Sequence, residues 1–120
     1  MIIAISSQGK ELSSRVDPRF GRAQYFIIYD TDNDSFKAIE NTQNLQATQG
    51  AGIQSAQNVA REKAALVISG NLGPKAFDTL TAAGIKTALW AEGTVVEAVE
   101  LAKNNKLKIN DRANVEGHWM

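Results

Sequence analysis

From Gly52 onward the hydrophobic pattern switches regularly between helical and extended periods, and that alternation limits the folds open to this chain. Ile53, Ala56, Ala60 and Ala64 recur at helical spacing over Gly52 to Lys63, and Ala65 to Ser69 is then a short apolar run of strand length. Pro74 suits a first helical turn, where its missing N–H costs nothing. Phe77 and Leu80 share a face of that helix, and Gly84 is placed to end it in a left-handed cap. Ile85 to Trp90 predicts the next strand. Thr94-Val95-Val96-Glu97 has the form of a capping box and opens a last helix with Val95, Val96, Val99 and Ala102 as its apolar stripe.

Three extended segments precede this series. Ile2 to Ser6 is apolar nearly throughout and reads as a buried strand. Gln24 to Asp30 is aromatic and β-branched, Thr31 to Asp34 is turn chemistry, and Ser35 to Glu40 carries Phe36 and Ile39; together they predict a β-hairpin. The order β-β-β-α-β-α-β-α implies an α/β fold with a ribonuclease-H-like mixed five-stranded sheet, an antiparallel hairpin joined to parallel strands, and three helices. A flavodoxin-like sheet is the alternative. Residues 1–104 are expected to form one domain, followed by a polar, weakly patterned tail over 105–120.

Composition removes whole classes of function. Lys plus Arg and Asp plus Glu both number 13, so the formal net charge is zero and exerts no general pull toward nucleic acid or an anionic membrane. No apolar run approaches the ~20 residues of a membrane span, and the start lacks the basic segment of a signal peptide; a cytoplasmic protein is expected. The absence of cysteine excludes disulfides, thiolate zinc sites, cysteine nucleophiles and Cys-ligated iron–sulfur clusters. The single histidine, His118, leaves no basis for a catalytic triad or a two-histidine metal site, and no enzyme is expected.

Ligands of open α/β sheets bind beyond the carboxyl ends of the parallel strands. Four loops gather there: Ser6 to Gly9, Thr48 to Gly52, Ser69 to Lys75 and Ala91 to Thr94. Residues 41–60 carry no charged side chain, and the uncharged run Ala64 to Pro74 ends at Lys75. Helix starts cleared of carboxylates and flanked by a lysine suit an anion. On composition alone, a surface lysine with glycines serving only turns is an equal reading. A ribonuclease-H-type nuclease needs metal-binding carboxylates, one of them on the first strand. Met1 to Ser6 offers none, so that activity is excluded despite the topology.

The densest local signal is Arg15-Val16-Asp17-Pro18-Arg19-Phe20-Gly21-Arg22-Ala23. Arg19 and Arg22 supply forked donors for an anion. The plainer alternative pairs Asp17 with an arginine and places Phe20 as a plug in the core. Asp17 to Ala23 with Tyr25-Phe26, Ile39-Glu40-Asn41, Gly50-Ala51-Gly52-Ile53-Gln54, Val67 to Phe77, Leu80 and Ala83-Gly84-Ile85 together resemble the dinitrogenase iron–molybdenum cofactor biosynthesis family, of the NifX and NifB C-terminal type. The match runs over about residues 1–104. The resemblance implies a ribonuclease-H-like fold without nuclease activity, and binding of a molybdenum- or iron-containing sulfide cluster or its precursor. In the orange protein branch it implies a molybdenum–copper sulfide cluster held without cysteine. Many members carry histidine or cysteine in the loop that here reads Thr42 to Gln49, which favours the orange-type reading and noncovalent retention.

The expected cofactor site comprises Ser7, Arg19, Phe20, Gly21, Arg22, Gly50, Ala51, Gly52, Gly70, Asn71, Gly73 and Lys75, with His118 as a candidate metal ligand from the tail. Two other functions fit the same residues. One is a regulatory module that binds a partner protein and no cofactor, with Trp90 and Trp119 as patch candidates. The other is a phosphate- or nucleotide-binding protein using the same helix starts.

Overall fold

Neither face of the first strand is polar before Ser6, because that strand lies at the centre of the sheet and is covered on both sides. The computed structural model describes residues 1–43, 45–110 and 113. Strands β1 (Ile2–Ser7), β2 (Tyr25–Asp30) and β3 (Ser35–Glu40) lead into α1 (Ala51–Arg61), β4 (Leu66–Ser69), α2 (Pro74–Ala82), β5 (Lys86–Leu89) and α3 (Val95–Lys103). The sheet order is β3-β2-β1-β4-β5. β1 pairs antiparallel with β2, placing Ile5 opposite Ile27, and parallel with β4, placing Ile5 beside Ile68. The hairpin and the parallel β4–β5 pair complete the expected mixed five-stranded sheet. The antiparallel β2 and β3 set aside the flavodoxin-like alternative.

Side-chain alternation divides the core into two layers. Ala4, Phe26, Ile28 and Val67 face α1 and α2, where Ala56, Val59, Ala76 and Leu80 close over them. Ile3, Ile5, Ile27 and Ile68 face α3 and meet Val95, Ala98 and Val99. Helix ends follow local chemistry. Gly84 takes a φ of +76° just past α2, as a left-handed cap requires, and Ile85 N–H then donates to the Leu80 carbonyl at 2.9 Å. At α3 the Glu97 carboxylate accepts from Thr94 N–H at 3.0 Å, completing the capping box.

Two expectations change. Val96 leaves the buried stripe of α3 and is 39% exposed, while Ala98 takes its place. The reason is geometric: residues 95, 98, 99 and 102 share one side of a 3.6-residue helix, and 96 is turned about 100° from 95. The chain after α3 is also held more closely than a tail would be. Leu107 packs on the α3-side core, Ile109 bridges to Ala88, and Asn110 N–H donates to the Thr87 carbonyl at 2.7 Å. Ile109 and Asn110 thus partner the outer side of β5. His118 and Trp119 lie outside the described residues. No helix among the described residues is long and apolar enough to cross a membrane.

Candidate functional site

The connection between β1 and β2 crosses the carboxyl ends of the parallel strands and ties three loops together. It starts at the beginning of α3, where Arg15 bridges to Thr94 and Val16 N–H donates to the Gly93 carbonyl at 3.0 Å. It passes the end of β1, where Asp17 N–H reaches the Ser6 carbonyl at 2.8 Å and the Ser6 hydroxyl donates to the Asp17 carbonyl at 2.6 Å. Arg19 then bridges to Asn71 in the β4–α2 loop. It ends against α1: a Cβ on Gly21 would stand 3.1 Å from Gly52 N and 3.3 Å from Ala51 C. Glycine suits the position because a Cβ would press on backbone, which cannot swing aside as a side chain can.

The dense segment divides its labour. Asp17 is only 2% exposed, and it accepts Arg19 N–H at 2.9 Å, Nε at 3.2 Å and Nη2 at 3.2 Å. This two-pronged pair holds the Arg19 guanidinium proton more firmly than usual, chiefly through its hydrogen bond to the carboxylate. Phe20 is buried against Phe26, with ring centroids 5.3 Å apart. The plainer reading therefore holds for both: Asp17 pairs with an arginine and Phe20 plugs the core. Phe20 has no surface to offer a ligand.

Arg22 is exposed and lies on a cavity of about 310 Å³ between segment 21–23, the β3–α1 loop and the start of α1. Gly21, Gly50 and Ala51 line the same cavity. Of the other expected residues, Gly52 sits just beneath it, where its missing Cβ lets the α1 and α2 starts approach; a Cβ there would stand 3.1 Å from that of Ala76. Ser7 is buried and donates to the Gly9 carbonyl. Gly70 packs against Pro18 and Ala91. Arg19, Asn71, Gly73 and Lys75 do not line the cavity.

The structure adds a set of uncharged amides. Asn41 donates to the Ala23 carbonyl at 2.9 Å, and its own carbonyl oxygen accepts from Ser55 Oγ and Asn58 Nδ2, both at 2.9 Å. Gln43 donates to Ser55 Oγ at 3.0 Å, and Asn58 also donates to the Thr42 carbonyl at 3.0 Å. Arg61 closes the chain of bonds on Asn58 Oδ1. The network pins the β3–α1 loop to the buried side of α1 and shapes the cavity wall, which Gln49 and Gln54 continue. Polar Ser55 and Asn58, three residues apart on an otherwise apolar helical face, were the available signal for it.

The helix starts differ electrostatically. At α3 the N-terminus is closed by its capping box and by the Ser14 and Leu12 carbonyls, which accept from Val95 and Val96 N–H at 2.9 Å each. α1 and α2 start at Gly50 and Gly73 with no side-chain cap and no acid in the first turn. Their positive ends lie side by side, uncompensated by carboxylate.

Residues 1–105 match the family model for the dinitrogenase iron–molybdenum cofactor. The chain belongs to this dinitrogenase iron–molybdenum cofactor family. Among solved structures it is similar to the apo form of the orange protein from Desulfovibrio gigas, with 35% identity, a TM-score of 0.89, and coverage of 95% of this chain and 96% of that one. A NifB-like protein of the DUF35 family from Thermotoga is 38% identical with a TM-score of 0.76, covering 90% and 91% of the two chains. An uncharacterised protein of Methanocaldococcus jannaschii is 30% identical over 99 residues, 80% of this chain and 83% of its own length. The family resemblance read from Asp17 to Ala23 and the later motifs holds. Of the segments that carried the resemblance, Asp17 to Ala23 and Gly50 to Gln54 meet at the start of α1, where Gly21 packs on Ala51 and Gly52.

Proposed function

We propose that this chain is a non-enzymatic binding or carrier protein for an anionic metal–sulfide cluster, containing molybdenum with iron or copper, or for a precursor of one. The observation that carries the proposal is the make-up of the cavity at the α1 start: among the described residues Arg22 is its one charged lining residue, and no carboxylate lines it. The donors on offer are a guanidinium, carboxamides and backbone N–H groups. A bare metal ion needs carboxylate, imidazole or thiolate ligands, and no group of three or more such residues occurs among the described residues. A cluster that brings its own sulfides is an anion and matches the donors present. Membership of the iron–molybdenum cofactor family and the likeness to the orange protein support the same reading.

In this reading the cargo rests on Gly50 and Ala51, with Arg22 as its counter-charge and the Gln43, Gln49 and Gln54 amides around the rim. Lys75 adds positive potential from the adjoining α2 start. Arg19 braces the crossing segment through Asp17. Gly21 and Gly52 give the backbone its close approach. Among the described residues no two titratable groups line the cavity, so acid and base roles have nothing to divide between them.

The test is reconstitution of the apo-protein with molybdate and sulfide plus copper or iron, followed by gel filtration. Protein that emerges with a visible charge-transfer spectrum and stoichiometric metal supports the proposal, and Arg22→Glu should lose both. Colourless, metal-free wild-type protein refutes it.

A further inference from the structure

The amide network behind the cavity has a direction. Arg61 Nη2 donates to Asn58 Oδ1. Asn58 Nδ2 donates in turn to Asn41 Oδ1 at 2.9 Å and to the Thr42 carbonyl at 3.0 Å. Asn41 Nδ2 then donates to the Ala23 carbonyl at 2.9 Å and to the Gly21 carbonyl at 3.4 Å. A guanidinium can only donate, and a backbone carbonyl can only accept. Between those fixed ends, a single orientation of each carboxamide satisfies every bond. The two carbonyls at the far end belong to the residues on either side of Arg22, whose side chain lines the cavity. Arg61 itself is exposed and does not line it. The acid next to it, Glu62, pairs with Lys37 at 2.7 Å instead. A basic side chain in the last turn of α1 suits the helix dipole. The dipole does not account for this one turning back onto a neutral amide that is only 7% exposed.

We propose, on the cargo reading above, that Arg61 is a positioning residue for the cavity. Arg61 orients Asn58, Asn58 orients Asn41, and Asn41 fixes segment 21–23 and with it the placement of Arg22. Without Arg61, the Asn58 carboxamide loses the donor on its oxygen and gains freedom to rotate. Each rotation withdraws a donor from Asn41 Oδ1 and from the Thr42 carbonyl. A network with one member unsatisfied holds its other members less firmly. The segment bearing Arg22 then loosens, although no residue that lines the cavity has changed.

Solution NMR of the full apo-protein tests the relay without any cargo. Arg61→Met should shift the side-chain amide signals of Asn58 and Asn41 and the backbone N–H signals of Gly21, Arg22 and Ala23. Gln57→Ala, at an exposed position of the same helix, should leave the signals of 21–23 in place. Arg61→Gln is uncharged but keeps an N–H donor, and should restore the wild-type pattern. Tetrathiomolybdate, a simple anionic molybdenum sulfide, is the cargo probe. Arg61→Met should lower its affinity about tenfold, and equally at low and high salt, because a lost hydrogen bond is not screened as a lost charge is. Arg61→Gln should recover most of that affinity. Shifts that stop at Asn58 overturn the relay. So does an affinity loss that fades at high salt or that Arg61→Gln fails to recover, since either marks Arg61 as a distant charge only. Wild-type protein that binds no tetrathiomolybdate counts against the cargo reading instead, and the signals of 21–23 then decide the relay by themselves.

Discussion

Arg19 and Arg22 stand three residues apart in one loop, and the structure gives them separable tasks. Arg19→Ala removes two charge-assisted bonds from a carboxylate that is 2% exposed, leaving Asp17 to accept from the Arg19 backbone N–H at 2.9 Å. Hydrogen bonds to charged groups contribute about 1.5–3 kcal/mol. The Arg19 side chain is 63% exposed, so solvent already screens part of that energy. The cost falls on the buried Asp17 carboxylate rather than on the exposed guanidinium, and a lowering of Tm by a few degrees is expected. Arg22 makes no salt bridge among the described residues, so Arg22→Ala should stay within about 0.5 kcal/mol of wild type, as surface substitutions do. Urea denaturation of the two apo variants gives the stability difference, and metal retention after reconstitution gives the functional one. Arg19→Ala should lower the midpoint, with a double-mutant cycle against Asp17→Asn showing strong coupling. Arg22→Ala should leave the midpoint alone and release the cargo. An Arg22→Ala variant as destabilised as Arg19→Ala, or no coupling between Arg19 and Asp17, would show this division of roles to be wrong.

Three further outcomes follow from the geometry. Gly70→Ala should cost about 1–3 kcal/mol by overpacking, because its Cβ would lie 2.8 Å from Pro18 Cα and 2.9 Å from Ala91 Cβ; chemical denaturation measures this, and a neutral result would mean the crossing segment is not packed as described. Asn41→Ala removes the acceptor shared by Ser55 and Asn58 and should lower both the unfolding free energy measured in urea, by about 1–3 kcal/mol for the unsatisfied donors, and cargo retention. Asp34 is held below its ordinary pKa mainly by its Lys103 hydrogen bond, and Glu97 mainly by Thr94 N–H. Both therefore add stability that is complete above their unfolded values of about 4 and is lost as pH falls through the lower folded values. Lys103, raised mainly by Asp34, adds stability that is complete below its unfolded value and lost as pH rises through the folded one. Lys103→Met should flatten the acid and alkaline arms of a midpoint-versus-pH curve, and unchanged arms would remove this cluster from the account.

Much of the architecture was legible before any coordinates because its signals are local. Pro74 and Gly84 bracket α2, Thr94 and Glu97 open α3, and Thr31 to Asp34 turns the hairpin; each acts within a few residues of chain. Family membership was legible for a related reason. The motifs from Asp17 to Ala23 and from Val67 to Phe77 are contiguous, although their purpose is to meet in space.

The site itself was legible only as a list of rim residues. Four of them, Gly21, Arg22, Gly50 and Ala51, share the cavity, and Phe20 and Ser7 are buried away from it. Sequence alone determined the element order, the helix ends, the family and a rim poor in carboxylate, because composition and short-range periodicity carry that information. Tertiary structure decided that Arg19 turns inward to Asp17 while Arg22 faces the cavity, that Asn41 and Gln43 line it with Ser55 and Asn58 bonded behind them, and that Val96 is left outside the core. Those outcomes depend on which strands lie side by side and which loop crosses their ends. That pairing brings together residues tens of positions apart, through hydrogen bonds that no local pattern encodes.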